Sequence, residues 1–314
     1  MPPGNSDEPC ISPPKMHLLS TTKSYIEALV ARGGPSEADD AGFNECLERL
    51  RPFVTDTRQA VSKQDVRSWF GDALSDATVQ GLSLRKQRGY PADYEVLDLI
   101  YTRYVSPDTS LSNWDRFYQR QAAPKAVRNR MEYFHRLLDR HSLQRRPLRV
   151  LKLAHGPGRC TFEWFNRNPE AEVFVDSVDS DEEAMAYASV LNRPFLDRIT
   201  FIQSKILRFQ PKKRYDLIWA PGVFDSFNDG LFIAMMMRLL PALAPGGELV
   251  IGNFSDRDPS QAYMELVGDW NIHHRSAEHL CRLAREVGVD DDCFRVGSEP
   301  EGVDLFLHVA SQKP

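Results

Sequence analysis

The stretch LRVLKLAHGPGRCTFEWF, Leu148 to Phe165, decides the fold. It opens with alternating and then continuous apolar residues, as a strand buried on both faces does. His155-Gly156-Pro157-Gly158 breaks that pattern, and the residues after it resume with helical spacing. In a strand, glycine turn and helix of this order, the glycines let a ligand approach the backbone and the helix start offers it unpaired N–H groups. Gly-Pro-Gly is also an ordinary tight turn, so its meaning depends on the rest of the chain.

Downstream of Pro147, short β-rich runs alternate with helical segments: LRVLKLA, EVFVDSVD, ITFIQS, YDLIWA, GELVIGNF, then CFRVG and VDLFLHVA near the end. Strands separated by helices imply crossover units and a mainly parallel sheet covered on both faces. The last two runs are separated by SEPEGV, too short for a parallel crossover, so they are expected to form an antiparallel hairpin. The fold class expected for residues 147–314 is therefore α/β, a Rossmann-like sheet.

Upstream the texture differs. Residues 1–16, rich in Pro, Gly, Ser and Asp, are expected to be a disordered arm. From His17 to about His141 the spacing is helical, as in LLSTTKSYIEALVARGG and FNECLERLRPFV. PADYEVLDLIYTRY is expected to put Tyr94, Leu97, Tyr101 and Tyr104 on one helix face, and NWDRFYQRQAAPKAVRNRMEYFHRLLDRH to be kinked or interrupted at Pro124. The break at Arg145-Arg146-Pro147 marks the expected boundary between an all-helical domain, 17–146, and the sheet domain, 147–314.

Composition narrows the function classes. A net charge of −5 with both signs interspersed offers no basic track for nucleic acid or an anionic membrane. No window approaches the roughly 18 consecutive apolar residues of a membrane span, and the N-terminus lacks the apolar core of a secretory signal. The expectation is a cytoplasmic protein without nucleic-acid or membrane partners, its oligomeric state open. Cys10, Cys46, Cys160, Cys281 and Cys293 are scattered and odd in number, as free thiols in a reducing compartment are. Adjacent His273 and His274 have no third ligand at a suggestive spacing, so no metal site is expected.

In an open α/β sheet, ligands sit at the carboxyl ends of the strands, where the strand order reverses. That rule selects Ala154, His155, Gly156, Pro157 and Gly158 after the first strand, and Asp179 and Ser180 after the second. Asp181 suits the cap of the next helix, but Asp179 closes the strand, and a carboxylate about 20 residues beyond a glycine turn accepts a pair of ribose hydroxyls.

Five strands with crossovers followed by an antiparallel pair resemble the class I S-adenosylmethionine-dependent methyltransferases. The resemblance implies that Ser204 holds the adenine edge and that Ala220 and Pro221 border the cofactor. Phe224 and Phe227 either wall the methyl-transfer pocket or pack in the core. Two departures stand out: Ala154 occupies a position usually acidic, and Cys160 the usual third glycine. The first leaves the cofactor's ammonium in need of another partner.

Four stretches narrow the likeness: KQRGYPADYEVLDLIY, APKAVRNRMEYF, YDLIWAPGVFDSF and GNFSDRDPSQAYMELVGDWNIHHRSAEHL, with EGVDLFLHVASQKP at the end. They resemble a group of class I methyltransferases with a helical N-terminal cap, whose known members include 3-hydroxypalmitic acid methyl ester synthases. That implies a cap, with Arg88-Gly89-Tyr90 and Val127-Arg128-Asn129-Arg130, closing over the cofactor. It also implies catalytic roles for Tyr90, Asn129 and Asn253, and a substrate pocket of Tyr133, Phe134, Phe224, Trp270 and His273. The implied reaction is O-methylation of a carboxylate or hydroxyl in secondary or signal metabolism. The alternative is consumption of the cofactor itself, by cyclisation to azetidine-2-carboxylate with release of methylthioadenosine or by aminocarboxypropyl transfer, as in azetidine-2-carboxylate synthases.

Overall fold

β1, Leu148–Leu153, lies inside a seven-stranded sheet with β2 (Val173–Asp179), β3 (Ile199–Gln203), β4 (Tyr215–Ala220), β5 (Leu243–Phe254), β6 (Phe294–Ser298) and β7 (Asp304–Ala310). The order is β3-β2-β1-β4-β5-β7-β6. β1 pairs in parallel with β2 on one side and β4 on the other, so the strand order reverses beside it. β7 runs antiparallel to both β5 and β6, as the short SEPEGV connection requires. Each apolar run named from the sequence is a strand.

The computed structural model describes residues 13–54, 61–85 and 93–311. It divides into a sheet unit, Ala92–Arg103, Ala122–Asp258 and Ile272–Pro314, and a helical unit, Met1–Pro91, Tyr104–Gln121 and Pro259–Asn271. In the sheet unit, Leu151, Leu153 and Ile218 pack on one face against Phe232 and Met236 of the helix Asp229–Leu239 and Leu280 and Leu283 of the helix Ala277–Glu286. On the other face, Val150, Leu217 and Trp219 meet Phe134 and Leu138 of the helix Ala122–Gln144 and Trp164 and Phe165 of the helix Arg159–Arg167.

The units do not divide at residue 146. The helix Ala122–Gln144, assigned from sequence to the helical domain, spends its apolar face on the sheet, with Phe134 stacked on Trp219 at 5.3 Å. The preceding helix, Ser112–Arg120, ends where Gln121 turns extended. Pro124 therefore falls in the first turn of a new helix, where its missing N–H costs no bond. The helix Tyr94–Tyr101 buries Tyr94, Val96 and Ile100, and Tyr104 lies past its end and exposed, so the expected four-residue stripe does not form.

The helical unit is built on aromatic packing: Phe117 meets Phe43 at 5.1 Å and Tyr263 at 5.0 Å, with Phe70 and Trp114 alongside. Buried Asp115 accepts from the Val79 and Ser106 amides at 2.8 and 2.7 Å, and Glu48 accepts from the Ala262 amide. Its first helix begins at Pro13, inside the segment expected to be a disordered arm; residues 1–12 lie outside the described residues. Among the described residues no helix is long and apolar enough to cross a membrane.

Candidate functional site

After β1 the chain enters the left-handed region three times in five residues, at Ala154 (φ 51°), Gly156 (φ 56°) and Gly158 (φ 73°). Gly158 caps the helix Arg159–Arg167, and a Cβ there would stand 2.8 Å from both Ala188 Cβ and Asn192 Nδ2. At Gly156 it would stand 3.1 Å from Leu97 Cδ1. Cys160, at the expected third glycine, accepts a 2.8 Å hydrogen bond from the buried Lys152 ammonium. His155 is buried, donates from Nδ1 to the Gly156 carbonyl at 2.6 Å, and has no partner at Nε2 among the described residues. Burial pushes its pKa below the usual imidazole value, against the opposing charge of Asp179.

Asp179 closes β2 and faces that turn. Its Oδ2 accepts from the Gly156 amide at 3.4 Å, and its Oδ1 from the Ser180 and Asp181 amides at 2.7 and 3.1 Å. The Ser204 amide donates to the Asp179 carbonyl at 2.8 Å, so the ends of β2 and β3 are joined. Asp181 caps the helix Glu182–Leu191 through the Glu183 and Ala184 amides, which leaves Asp179 as the acid not consumed by helix capping. The geometry thus brings 154–158, Asp179, Ser180 and Ser204 to one end of the sheet.

At the ends of β4 and β5 a buried charged cluster replaces the expected aromatic wall. Ala220 and Pro221 are buried, and Gly252 passes so close that a Cβ would meet the Pro221 oxygen at 2.5 Å. Arg130 donates to that oxygen at 2.7 Å and approaches Asp304 Oδ2 at 3.3 Å. Asp304 opposes Phe254 across the β5–β7 ladder. Burial, with the Asp225 and Glu299 carboxylates nearby, pushes its pKa up to about 8 against the pull of Arg130. Burial also raises Asp225 to about 6, opposed by Arg130 and Arg275. Asn129 donates to Glu299 at 2.8 Å, and Glu299 also accepts from the Val303 and Asp304 amides of the β6–β7 turn.

Asn253 is fully buried and engaged on both sides of its amide: it donates to the Phe254 and His273 carbonyls and accepts from Arg275 at 2.8 Å. Arg275 further binds Asp229 and the Phe224 and Phe227 carbonyls. His273 contributes its backbone to this network while its side chain is exposed. Phe224 packs edge-on with Phe227 and Phe232 inside the core.

The other expected pocket residues lie elsewhere. Phe134 is fully buried against Trp219, and Tyr133 stacks on Phe306 at 4.0 Å with its hydroxyl on His308 Nε2 at 2.6 Å. Both rings are used in packing the long helix onto the sheet. Trp270 belongs to the helical unit, its amide bonded to the Met264 carbonyl. Tyr90, with Arg88 and Gly89, lies outside the described residues. Sequence reasoning missed Tyr101, Asp225 and Asp304 and placed Arg130 only as part of a cap; the available signal was a charge set among apolar residues, as in GVDLFLHVA.

A mainly parallel sheet ordered 3-2-1-4-5-7-6, closed by an antiparallel pair and carrying a glycine turn and an acid at the first two strand ends, is Rossmann-like. No family model and no curated protein matches this chain. Among solved structures it is similar to one described as a possible exported protein from Bordetella parapertussis, at 19% identity and a TM-score of 0.63, over 97% of this chain and 100% of that one. It is also similar to a proposed O-methyltransferase from Nostoc punctiforme PCC 73102, at 16% identity and a TM-score of 0.51, over 94% of this chain and 96% of that one. The CurJ carbon methyltransferase matches at 14% identity and a TM-score of 0.51, over 95% of this chain and 92% of that one. At such identities the likeness is one of fold.

Proposed function

We propose that the chain is an S-adenosylmethionine-dependent methyltransferase acting on a small molecule. The observation that carries this reading is the Asp179 carboxylate on the Gly156 amide, at the point where strand order reverses beside β1. A ribose hydroxyl fits the remaining acceptor position of Asp179, since a carboxylate has about four and three are used here. Nε2 of His155, without a partner among the described residues, is a second buried polar atom at the same turn. The cofactor is therefore supported by the donor set as well as by the fold.

Asp179 would hold the ribose, the Gly156–Gly158 backbone would leave room for the nucleoside, and Ser204 would border the adenine. Bound S-adenosylmethionine supplies a methyl already activated on a sulfonium. An ionised carboxylate acceptor needs no base, so the protein's part is positioning and exclusion of water. The finer reading, O-methylation of a carboxylate or hydroxyl in secondary or signal metabolism, rests on the sequence likeness to capped ester synthases. For a hydroxyl acceptor a base must accept the proton.

Ala154 favours a second reading. Without an acid at that position the cofactor's amine is a candidate nucleophile, which supports cyclisation or aminocarboxypropyl transfer. One experiment separates the two: incubation with S-adenosylmethionine alone and with a carboxylate and hydroxyl acceptor panel, products identified by mass spectrometry. S-adenosylhomocysteine that appears only with an acceptor supports methyl transfer. Methylthioadenosine from the cofactor alone overturns it in favour of the second reading. Asp179→Ala is expected to weaken S-adenosylhomocysteine binding by about 1–3 kcal/mol in calorimetry; unchanged affinity would mean that the wrong acid is assigned.

A further inference from the structure

We propose that Arg130 and Asp304, backed by Asp225, form the socket for the α-amino-acid end of the cofactor, taking the place of the acid absent at Ala154. This inference rests on the methyltransferase reading above.

Position comes first. Leu97 Cδ1 lies 3.1 Å from where a Gly156 Cβ would be, and Tyr101 follows one turn later on the same helix. Tyr101 hydrogen-bonds Arg130, and burial raises its hydroxyl, with Cys160 and Asp304 adding to the rise and Arg130 opposing it, so the helix that touches the glycine turn at Leu97 meets the charged cluster at Tyr101. The Arg130 guanidinium bonds the Pro221 oxygen immediately after β4, and a Cβ at Gly222 would stand 3.1 Å from its Nη1. The cluster therefore borders the turn on one side and the ends of β4 and β5 on the other, where an amino acid attached to a nucleoside held by Asp179 has to reach.

The chemistry of the unmet groups specifies the ligand. Arg130 Nε and Asp304 Oδ1 are buried with no partner among the described residues. One is a cationic donor and the other a carboxylate acceptor, and native proteins rarely leave such atoms orphaned. A carboxylate and an ammonium on one carbon satisfy both at once. The charge count agrees: buried Asp225, Glu299 and Asp304 outnumber Arg130 and Arg275, and Arg275 is already engaged by Asp229. Burial, with the Asp225 and Glu299 carboxylates adding to it, keeps Asp304 protonated to about pH 8 against the pull of Arg130, and an arriving ammonium would favour its ionised form.

The test compares two probes by calorimetry: S-adenosylhomocysteine, which has the amino-acid end, and methylthioadenosine, which lacks it. The wild-type chain is expected to bind the first at least 10-fold more tightly. Asp304→Asn is expected to remove most of that advantage while leaving methylthioadenosine affinity within twofold. At pH 7.5, in buffers of different ionisation enthalpy, S-adenosylhomocysteine should release protons from the wild type and methylthioadenosine should not; this arm decides even if the variant fails to fold. Equal affinities for the two probes, an unchanged preference in Asp304→Asn, or no proton release each overturns the socket while keeping the nucleoside site. Binding of neither probe overturns the methyltransferase reading itself, and the socket with it.

Discussion

Ala154 holds a φ of 51° without being glycine, between a buried strand and two glycines that also turn left-handed. A turn so constrained is rigid, as the proposed nucleoside site requires. Gly158 shows the limits of that rigidity: its missing Cβ is needed both for φ and for the approach of Ala188 and Asn192 at 2.8 Å. Gly158→Ala is expected to destabilise the fold by about 1–3 kcal/mol, from strain plus overpacking, measured by urea denaturation; a neutral result would mean that the helices shift apart freely. Asp304 predicts a pH dependence of defined sign. Its folded pKa is raised from 3.8 to about 8, so the folded state binds a proton the unfolded state lacks. Its contribution to stability is full below the unfolded value and is lost as pH rises through the folded one. Between pH 7 and 8.5, above the window in which Asp225 at about 6 titrates, wild-type stability should fall and Asp304→Asn should flatten the slope. An identical slope in the variant would contradict this account.

At the scale of elements, one side chain ties the loop after β4 to β5 and to the next helix. Arg275 joins the Phe224 and Phe227 carbonyls, Asn253 at the end of β5 and Asp229 at the start of a helix, and its guanidinium lies over the Phe232 ring at 5.0 Å. Arg275→Met keeps the volume but leaves those acceptors unpaired, and is expected to cost about 3 kcal/mol in denaturant unfolding; a loss below 0.5 kcal/mol would reduce the residue to a surface ion pair. This clamp also marks what a sequence can disclose. The strands were legible because parallel strands buried on both faces read as apolar runs, and Asp179 was legible because it closes such a run at a telling distance from a glycine turn. Arg275, Arg130, Asp225 and Asp304 were not, because their meaning lies in partners 22 to 174 positions away in the chain. Tyr133 and Phe134 misled for the opposite reason: aromatic rings on a helix suit a cation cradle and a core equally, and here they stack on Phe306 and Trp219.

Over the whole molecule, the texture changes at Pro147, yet the compact units do not divide there. The sheet unit draws on Ala92–Arg103 and Ala122–Asp258 as well as Ile272–Pro314, and the helical unit reclaims Pro259–Asn271 from beyond β5. A fragment comprising residues 147–314 would lose the helix Ala122–Gln144, and with it the cover that Met131, Phe134, Leu137 and Leu138 give to Val150, Leu217, Trp219 and Val250. It would also lose the Arg130 partner of Asp304 and both His141 and Arg140 on Glu248, whose carboxyl is held well below its usual range even though burial opposes this, by hydrogen bonds from His141 and His308 and by the charge of Arg140. The exposed face alone carries several large apolar side chains, each contributing about 1.5–3 kcal/mol when buried, which is enough to exhaust the 5–15 kcal/mol net stability of an ordinary domain. The fragment is therefore expected to lack cooperative thermal unfolding and to bind a hydrophobic dye, where the full chain does neither. A cooperatively folded 147–314 fragment with native near-ultraviolet circular dichroism would show instead that the sheet closes its own core, and that the long helix is cover added to a domain already stable.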